Sequence, residues 1–174
     1  MNEAFLLLGS NIEPEKNILK ALEYLNQNFR IINVSNTWQT KAVGSKAADF
    51  LNTAVQLETS LDDHTLKEHC LCQIEELVGR VRQADKNAPR TIDLDIILFN
   101  GIVLDEAVFR HAHLILPFSE LLPDLHDPMS KQELSTLAKK VKKEALAREY
   151  KCLMPSLQKK KTSECAQINS RSPD

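Results

Sequence analysis

Apolar and polar residues follow two different periods along this chain, and the switches between them mark its elements. Ala4-Phe5-Leu6-Leu7-Leu8 is a continuous apolar run ended by Gly9-Ser10-Asn11, which predicts a buried strand and a turn. Ile18, Leu22, Leu25 and Phe29 then recur at helical spacing behind Pro14, whose fixed φ suits a first helical turn. The span from Arg30 to Thr40, rich in Ile31, Ile32, Val34, Thr37 and Trp38, predicts a strand, and a loop with Gly44 and Ser45 follows. Leu51, Thr53, Val55, Leu57 and Thr59 alternate with Asn52, Ala54, Gln56 and Glu58, the pattern of a half-buried strand.

Ser60, Asp62 and Asp63 open a second helix, with acids at the positive end of its dipole. Leu66, Cys70, Ile74 and Leu77 mark its apolar face as far as Gly79. A charged loop from Arg80 to Pro89 leads to a second alternating stretch, Thr91 to Phe99. Asn100-Gly101 makes a tight turn into Ile102-Val103-Leu104. This order predicts an α+β fold: a ferredoxin-like βαββαβ antiparallel sheet with helices on one face and an extra short strand. A short helix after Pro117 and a C-terminal helix from Lys131 to about Tyr150 complete a domain over residues 1–150. Residues 151–174, with Lys159-Lys160-Lys161 and a Ser/Asn/Arg/Pro ending, read as a disordered, solvated basic and polar tail. No internal repeat is present.

Composition narrows the class without naming a reaction. The 174 residues are 43% hydrophobic and 26% charged with a net charge of −2, which suits one folded domain and disfavours a wholly basic nucleic-acid binder. No apolar run approaches the roughly 20 residues of a membrane span, and the start lacks a basic signal-peptide region, so a cytoplasmic protein without a membrane partner is expected. Cys70, Cys72, Cys152 and Cys165 form no dense disulfide framework. Cys70 and Cys72 sit two apart on a helix, pointing in different directions, and no second pair has zinc-finger spacing. His64 and His69 read as exposed helix positions.

The chemistry concentrates between Gly79 and Asp95. Alternate strand residues share a face, so Ile92, Leu94, Ile96 and Leu98 are expected on the core side and Asp93 and Asp95 together on the other. Two carboxylates about 7 Å apart on a strand repel unless a cation joins them. Magnesium takes such a pair together with waters and substrate phosphates; a solvated face balanced by Arg90 is the plainer reading. Arg80, Arg82 and Arg90 flank the pair, and arginine forks match phosphate oxygens. Acids for metal and arginines for phosphate suit phosphoryl transfer, whose transition state is stabilised by positioning and charge. A separate group, Thr40, Phe50 and Asn52, offers an amide edge and an aromatic ring to a flat heterocycle. No GxxxxGK[ST] loop, GxGxxG turn or Ser-His-Asp elbow occurs.

Leu8-Gly9-Ser10-Asn11, Phe50-Leu51-Asn52-Thr53-Ala54, Ile74-Glu75, Gly79-Arg80-Val81-Arg82 and Pro89-Arg90-Thr91-Ile92-Asp93-Leu94-Asp95-Ile96 occur in order. Together they closely resemble the 6-hydroxymethyl-7,8-dihydropterin pyrophosphokinase family of folate biosynthesis. Leu116-Pro117-Phe118-Ser119-Glu120-Leu121-Leu122-Pro123-Asp124-Leu125 resembles that family's later segment, so the likeness covers roughly residues 3–128. It implies a ferredoxin-like, magnesium-dependent transferase that moves diphosphate from ATP to the pterin hydroxymethyl group and releases AMP. It implies two magnesium ions on Asp93 and Asp95, with Arg80 and Arg90 beside them at the reacting phosphates. Arg82, Arg90 and Ile96 would bind ATP, and Thr40, Val43, Phe50 and Asn52 the pterin. Glu75 and Asn11 match positions near that site. The partners implied are these small molecules, not nucleic acid, and a monomer or weak homo-oligomer is expected.

Two departures stand out. Asn87-Ala88 occupies the place of a tryptophan-glycine pair in the family. Phe109-Arg110-His111-Ala112-His113-Leu114 replaces a His-Pro-x-x-x-x-Arg-x-Phe segment and is shorter by about eight residues, leaving Arg110, His111 and His113 as alternative substitutes. A non-catalytic ATP- or pterin-binding relative is therefore the first rival reading. An RNA-binding module using its sheet face is the second.

Overall fold

β1 (Asn2–Ser10) lies inside the sheet because its apolar run has no polar side to turn outward. The computed structural model describes residues 1–41, 49–81, 89–144 and 147–158. β1 pairs antiparallel with β4 (Phe50–Thr59) on one side and β5 (Asp93–Phe99) on the other. β2 (Arg30–Val34) and β3 (Thr37–Thr40) pair with successive parts of β4. β6 (Ile102–Val103) extends the β5 side, the strand pair closing through Asn100 and Gly101 at φ 49° and 78°. These positive angles explain why Asn-Gly is the turn sequence. Among the described residues, every strand pairing is antiparallel.

Helices cover both faces, which corrects the one-faced expectation. Ala4, Leu6 and Leu8 face α1 (Pro14–Asn28) through Ile18, Leu22 and Leu25, and face a second helical segment through Leu66, Leu71, Ile74 and Val78. Phe5 and Leu7 face the opposite core, made with Leu114 to Leu116 and Phe118 of α4 (Ala112–Leu121) and Leu134 and Ala138 of α5 (Leu134–Glu144). The all-apolar β1 already required two cores; the residues that close the second come from far along the chain. Each such Leu or Ile contributes about 1.5–3 kcal/mol by leaving water.

Local irregularities account for the other differences. The second helical segment runs as α2 (Asp63–Thr65), a π-helical turn (Leu66–Leu71) and α3 (Cys72–Val78). Its buried face steps from Leu66 to Leu71 and reaches Val78, with Cys70 half-buried against the same core and Leu77 51% exposed. A π turn adds one residue, so every later position shifts around the helix. Asp62 caps its start by accepting from the Thr65 N–H at 2.7 Å, and Gly79 ends it at φ 103°. A bulge in the β1–β5 pairing sends Ile97 and Leu98 together into the second core. Leu98 thus leaves the face expected for it. α4 begins before Pro117 and contains it, and Tyr150 lies on β7 (Arg148–Tyr150), paired with β3, not on the closing helix.

Residues 151–158 are ordered, against the expectation of a tail from residue 151. Cys152 is buried, and Leu153, Met154 and Leu157 pack against the first core. The apolar Cys152-Leu153-Met154 group closes an open end of that core beside β2. Residues 159–174 lie outside the described residues. Among those described, no helix is long and apolar enough to cross a membrane.

Candidate active site

The sheet register decides what meets what. Asp93 pairs with Gly9, Gly9 with Asn52 and Asn52 with Trp38, so these four residues form one row on one face. Asp95 opposite Leu7 lies on the same face, as do Phe50 and Thr40, paired two residues along from Asn52 and Trp38. The acid pair and the amide group, separate in sequence, thus share a surface. Asp93 and Asn52 stand two strands apart, about 10 Å by strand spacing. A Cβ on Gly9 between them would meet Asn52 Oδ1 at 3.3 Å, a tight approach that favours glycine there.

The acidic end is built around the free edge of β5. Glu75, 2% exposed, accepts from the Leu94 N–H at 2.8 Å, while Lys67 Nζ donates to the Leu94 carbonyl. Helical side chains thus satisfy an edge that would otherwise be open. Arg80 lies 2.7 Å from Glu75 Oε1 and also pairs with Asp93, whose second oxygen takes Arg90. Lys67 lies 2.9 Å from Asp95 Oδ1 and 3.7 Å from Glu75 Oε1. Three carboxylates therefore face three cations. Burial pushes the Glu75 carboxyl above its usual range, only partly opposed by the Leu94 N–H, Lys67 and Arg80. Burial pulls Lys67 downward, but Asp95 together with Glu75 and Asp93 more than offsets this and its pKa ends raised. Arg80 is likewise desolvated, yet is held protonated by Asp93 and Glu75.

The Gly9-Ser10-Asn11 turn fixes the entry to β5. Asn11 Oδ1 accepts from the Arg90 N–H at 2.7 Å, the Asn11 N–H donates to the Arg90 carbonyl at 3.1 Å, and Ser10 Oγ donates to the Thr91 carbonyl at 2.6 Å. The turn therefore aims Arg90 at Asp93. At the other end Asn52, 3% exposed, donates through Nδ2 to Thr40 Oγ1 at 3.0 Å, with the Trp38 carbonyl at 3.5 Å. Phe50 is half-buried beside them. Burial of Asn52 departs from a strand half exposed to solvent: here β4 is covered on both faces.

Of the sequence candidates, Arg80, Arg90, Asp93, Asp95, Thr40, Phe50 and Asn52 are therefore on or beside one face. Ile96 packs against the first core, on the opposite side of β5. Val43 and Arg82 lie outside the described residues. In the shortened segment Arg110 pairs with buried Asp127 at 3.3 Å, and the His111 and His113 rings stack at 5.5 Å. Burial, then His111, lowers the His113 pKa. Lys67 was not legible as a site part: it reaches the site from the π turn, for which the sequence carries no signal. Glu75 was legible only through the family likeness, since by pattern it is a charge beside the helix's apolar stripe.

Residues 5–123 match the model of the family described as 7,8-dihydro-6-hydroxymethylpterin-pyrophosphokinase. The 2-amino-4-hydroxy-6-hydroxymethyldihydropteridine pyrophosphokinase of Methylorubrum extorquens is 37% identical, over 72% of this chain and 85% of the relative. The protein of that name from Bacillus subtilis is 34% identical over 85% of each chain. Among solved structures, wild-type Plasmodium falciparum HPPK-DHPS with pterin and p-hydroxybenzoate superposes with a TM-score of 0.63 at 13% identity. That match covers 82% of this chain and 44% of the other, and it speaks for the fold alone.

Proposed function

Because the chain belongs to the 7,8-dihydro-6-hydroxymethylpterin-pyrophosphokinase family, we propose that it transfers diphosphate from ATP to the hydroxymethyl group of 6-hydroxymethyl-7,8-dihydropterin in folate biosynthesis, releasing AMP. The observation that carries this reading is the shared face. A carboxylate pair ringed by arginines lies across two strands from a buried asparagine amide, so one end suits phosphates and the other a heterocycle.

The pterin would lie against Asn52, Thr40 and Phe50, its amide edge hydrogen-bonding to Asn52 and its ring stacking on Phe50. Val43 belongs to the same pocket on the resemblance. Arg80 and Arg90 would take the ATP phosphates, with Arg82 and Ile96 assigned to the nucleotide by the same likeness. Arginine holds its charge throughout the neutral range and binds phosphate through a fork, so the two chains orient the triphosphate before attack. The pterin hydroxyl attacks the β-phosphorus, the bond to the α-phosphate oxygen breaks, and no covalent enzyme intermediate forms. Glu75 holds Arg80 in place, a positioning role.

The donor set fits magnesium. Two strand carboxylates, Asp95 51% exposed and Asp93 14%, are what magnesium takes together with substrate phosphates, and no group of three or more metal-ligating side chains forms a protein-only cage among the described residues. Asp93 and Asp95 would hold two ions, which when bound neutralise phosphate charge and strengthen the nucleophile's alignment. The ferredoxin-like description suits the core order β5-β1-β4 with β2 and β3 at its side. A cytoplasmic monomer or weak homo-oligomer completes the reading.

The deciding experiment follows AMP formation from ATP and magnesium with and without 6-hydroxymethyl-7,8-dihydropterin. Pterin-dependent AMP, with diphosphate recovered on the pterin, is expected. A folded, ATP-binding protein that forms no AMP would overturn the reading in favour of a non-catalytic relative.

A further inference from the structure

Among the described residues, Lys67 is the one cation of the acidic end that neither the sequence pattern nor the phosphate chemistry calls for. It reaches the β5 edge from the start of the π-helical turn Leu66–Leu71. Its ammonium sits 2.9 Å from Asp95 Oδ1 and 3.7 Å from Glu75 Oε1, and it donates to the Leu94 carbonyl. The two acids are therefore loaded differently. Asp93 is held by two arginines, one on each carboxylate oxygen, whereas Asp95, the more exposed carboxylate, carries a tethered ammonium. An ammonium on a flexible four-carbon stem can swing aside, while the neighbouring carbonyl and Glu75 keep it close to the carboxylate it leaves.

We propose that Lys67 is an internal counter-ion that competes with a divalent cation for Asp95 and so sets the metal concentration at which the site loads. This rests on reading Asp93 and Asp95 as metal carboxylates. A divalent ion entering without nucleotide must displace the ammonium, and the free protein therefore binds metal weakly. Removing the competitor leaves the carboxylate intact and strengthens that binding.

The test is titration of the nucleotide-free full chain with Mn²⁺ as the probe, followed by the electron paramagnetic resonance signal of free Mn²⁺. Lys67→Met is expected to tighten Mn²⁺ binding roughly fivefold, the scale of one partly exposed ion pair. Lys67→Arg, which restores the positive charge, should return affinity close to wild type. Adding Asp95→Asn to Lys67→Met should erase the gain, as coupling through one contact requires. Unchanged or weaker Mn²⁺ binding by folded Lys67→Met overturns the proposal, and Lys67→Gln provides the same reading should the methionine variant not fold. AMP formation is measured separately: absence of pterin-dependent AMP counts against the assigned reaction, whereas the Mn²⁺ shift alone decides the role of Lys67.

Discussion

The two ends of one row across the sheet have opposite chemistry. At the β5 end Asp93 and Asp95 lie among Lys67, Arg80 and Arg90, with buried Glu75 as the hub. At the β4 end Asn52 and Thr40 satisfy one another through a neutral hydrogen bond, buried and without an ion pair of their own among the described residues. The difference follows from position. The β5 end is an edge, where long charged side chains from a neighbouring helix can reach round and keep part of themselves in water. The β4 end lies deeper, where an unpaired charge would cost several kcal/mol and an amide costs little once bonded. Phosphate and metal chemistry suits the first environment and recognition of a flat, uncharged heterocycle the second.

The sharpest way to break this comparison is at the acids. Asp95→Asn or Asp93→Asn should lower pterin-dependent AMP formation on the order of a thousandfold, with little change in thermal midpoint for the half-exposed Asp95. An active variant would show that the ionic end does not serve the reaction. Next comes the hub. Glu75→Ala removes one of the two carboxylates on Arg80 and leaves the Leu94 N–H without its acceptor, and should cost about 3 kcal/mol of stability in denaturant unfolding, whereas Glu75→Gln, which keeps the acceptor, should cost much less. Equal losses would mean that the carboxylate charge alone matters, since glutamine keeps both the packing and the acceptor.

At the neutral end the effects should be smaller and confined to one ligand. Asn52→Ala should weaken pterin binding roughly tenfold in calorimetry while sparing ATP; equal loss of both would merge the two ends. Gly9→Ala crowds Asn52 Oδ1 from the middle of the row, and a two- to fivefold rise in pterin Kd, on the order of 0.5–1 kcal/mol, is expected with ATP binding unaltered.

A carboxylate outside the row, Asp127, gives the fold a pH dependence of its own. Ser130's hydroxyl, with the Met129 and Ser130 amides and Arg110, holds Asp127 at about 2, below its usual 3.8. Its stabilisation is complete above about pH 4 and is lost as pH falls through about 2. Acid unfolding of Asp127→Asn should be correspondingly shallower in that window, and identical profiles would contradict the assignment.

Much of the fold was legible because local physics suffices for it. The apolar run at Ala4–Leu8, the alternation in β4, the Asn100-Gly101 turn, the helix start at Ser60 to Asp63 and the Gly79 stop each act within a few residues. The pairing of Asp93 and Asp95 on one face followed from strand periodicity alone. What escaped was whatever adds or removes one residue from a period, or depends on a distant partner. The π turn carried the buried face on to Leu71 beside half-buried Cys70, the β5 bulge carried Leu98 to the other core, and Cys152 found an unfilled end of the first core that its own neighbourhood does not reveal.

The sequence by itself determined the strands and helices, the residue types able to handle phosphate and heterocycle, and the family likeness that joins them. Tertiary structure alone decided that Asp93, Gly9 and Asn52 stand in one row, that both sheet faces are covered, and that Lys67 rests on Asp95. The reason is physical: side-chain chemistry and local periodicity are properties of neighbours along the chain. Register between strands and the reach of a helix over a sheet edge are fixed only when segments tens of residues apart bury one another's apolar surface and satisfy one another's backbone.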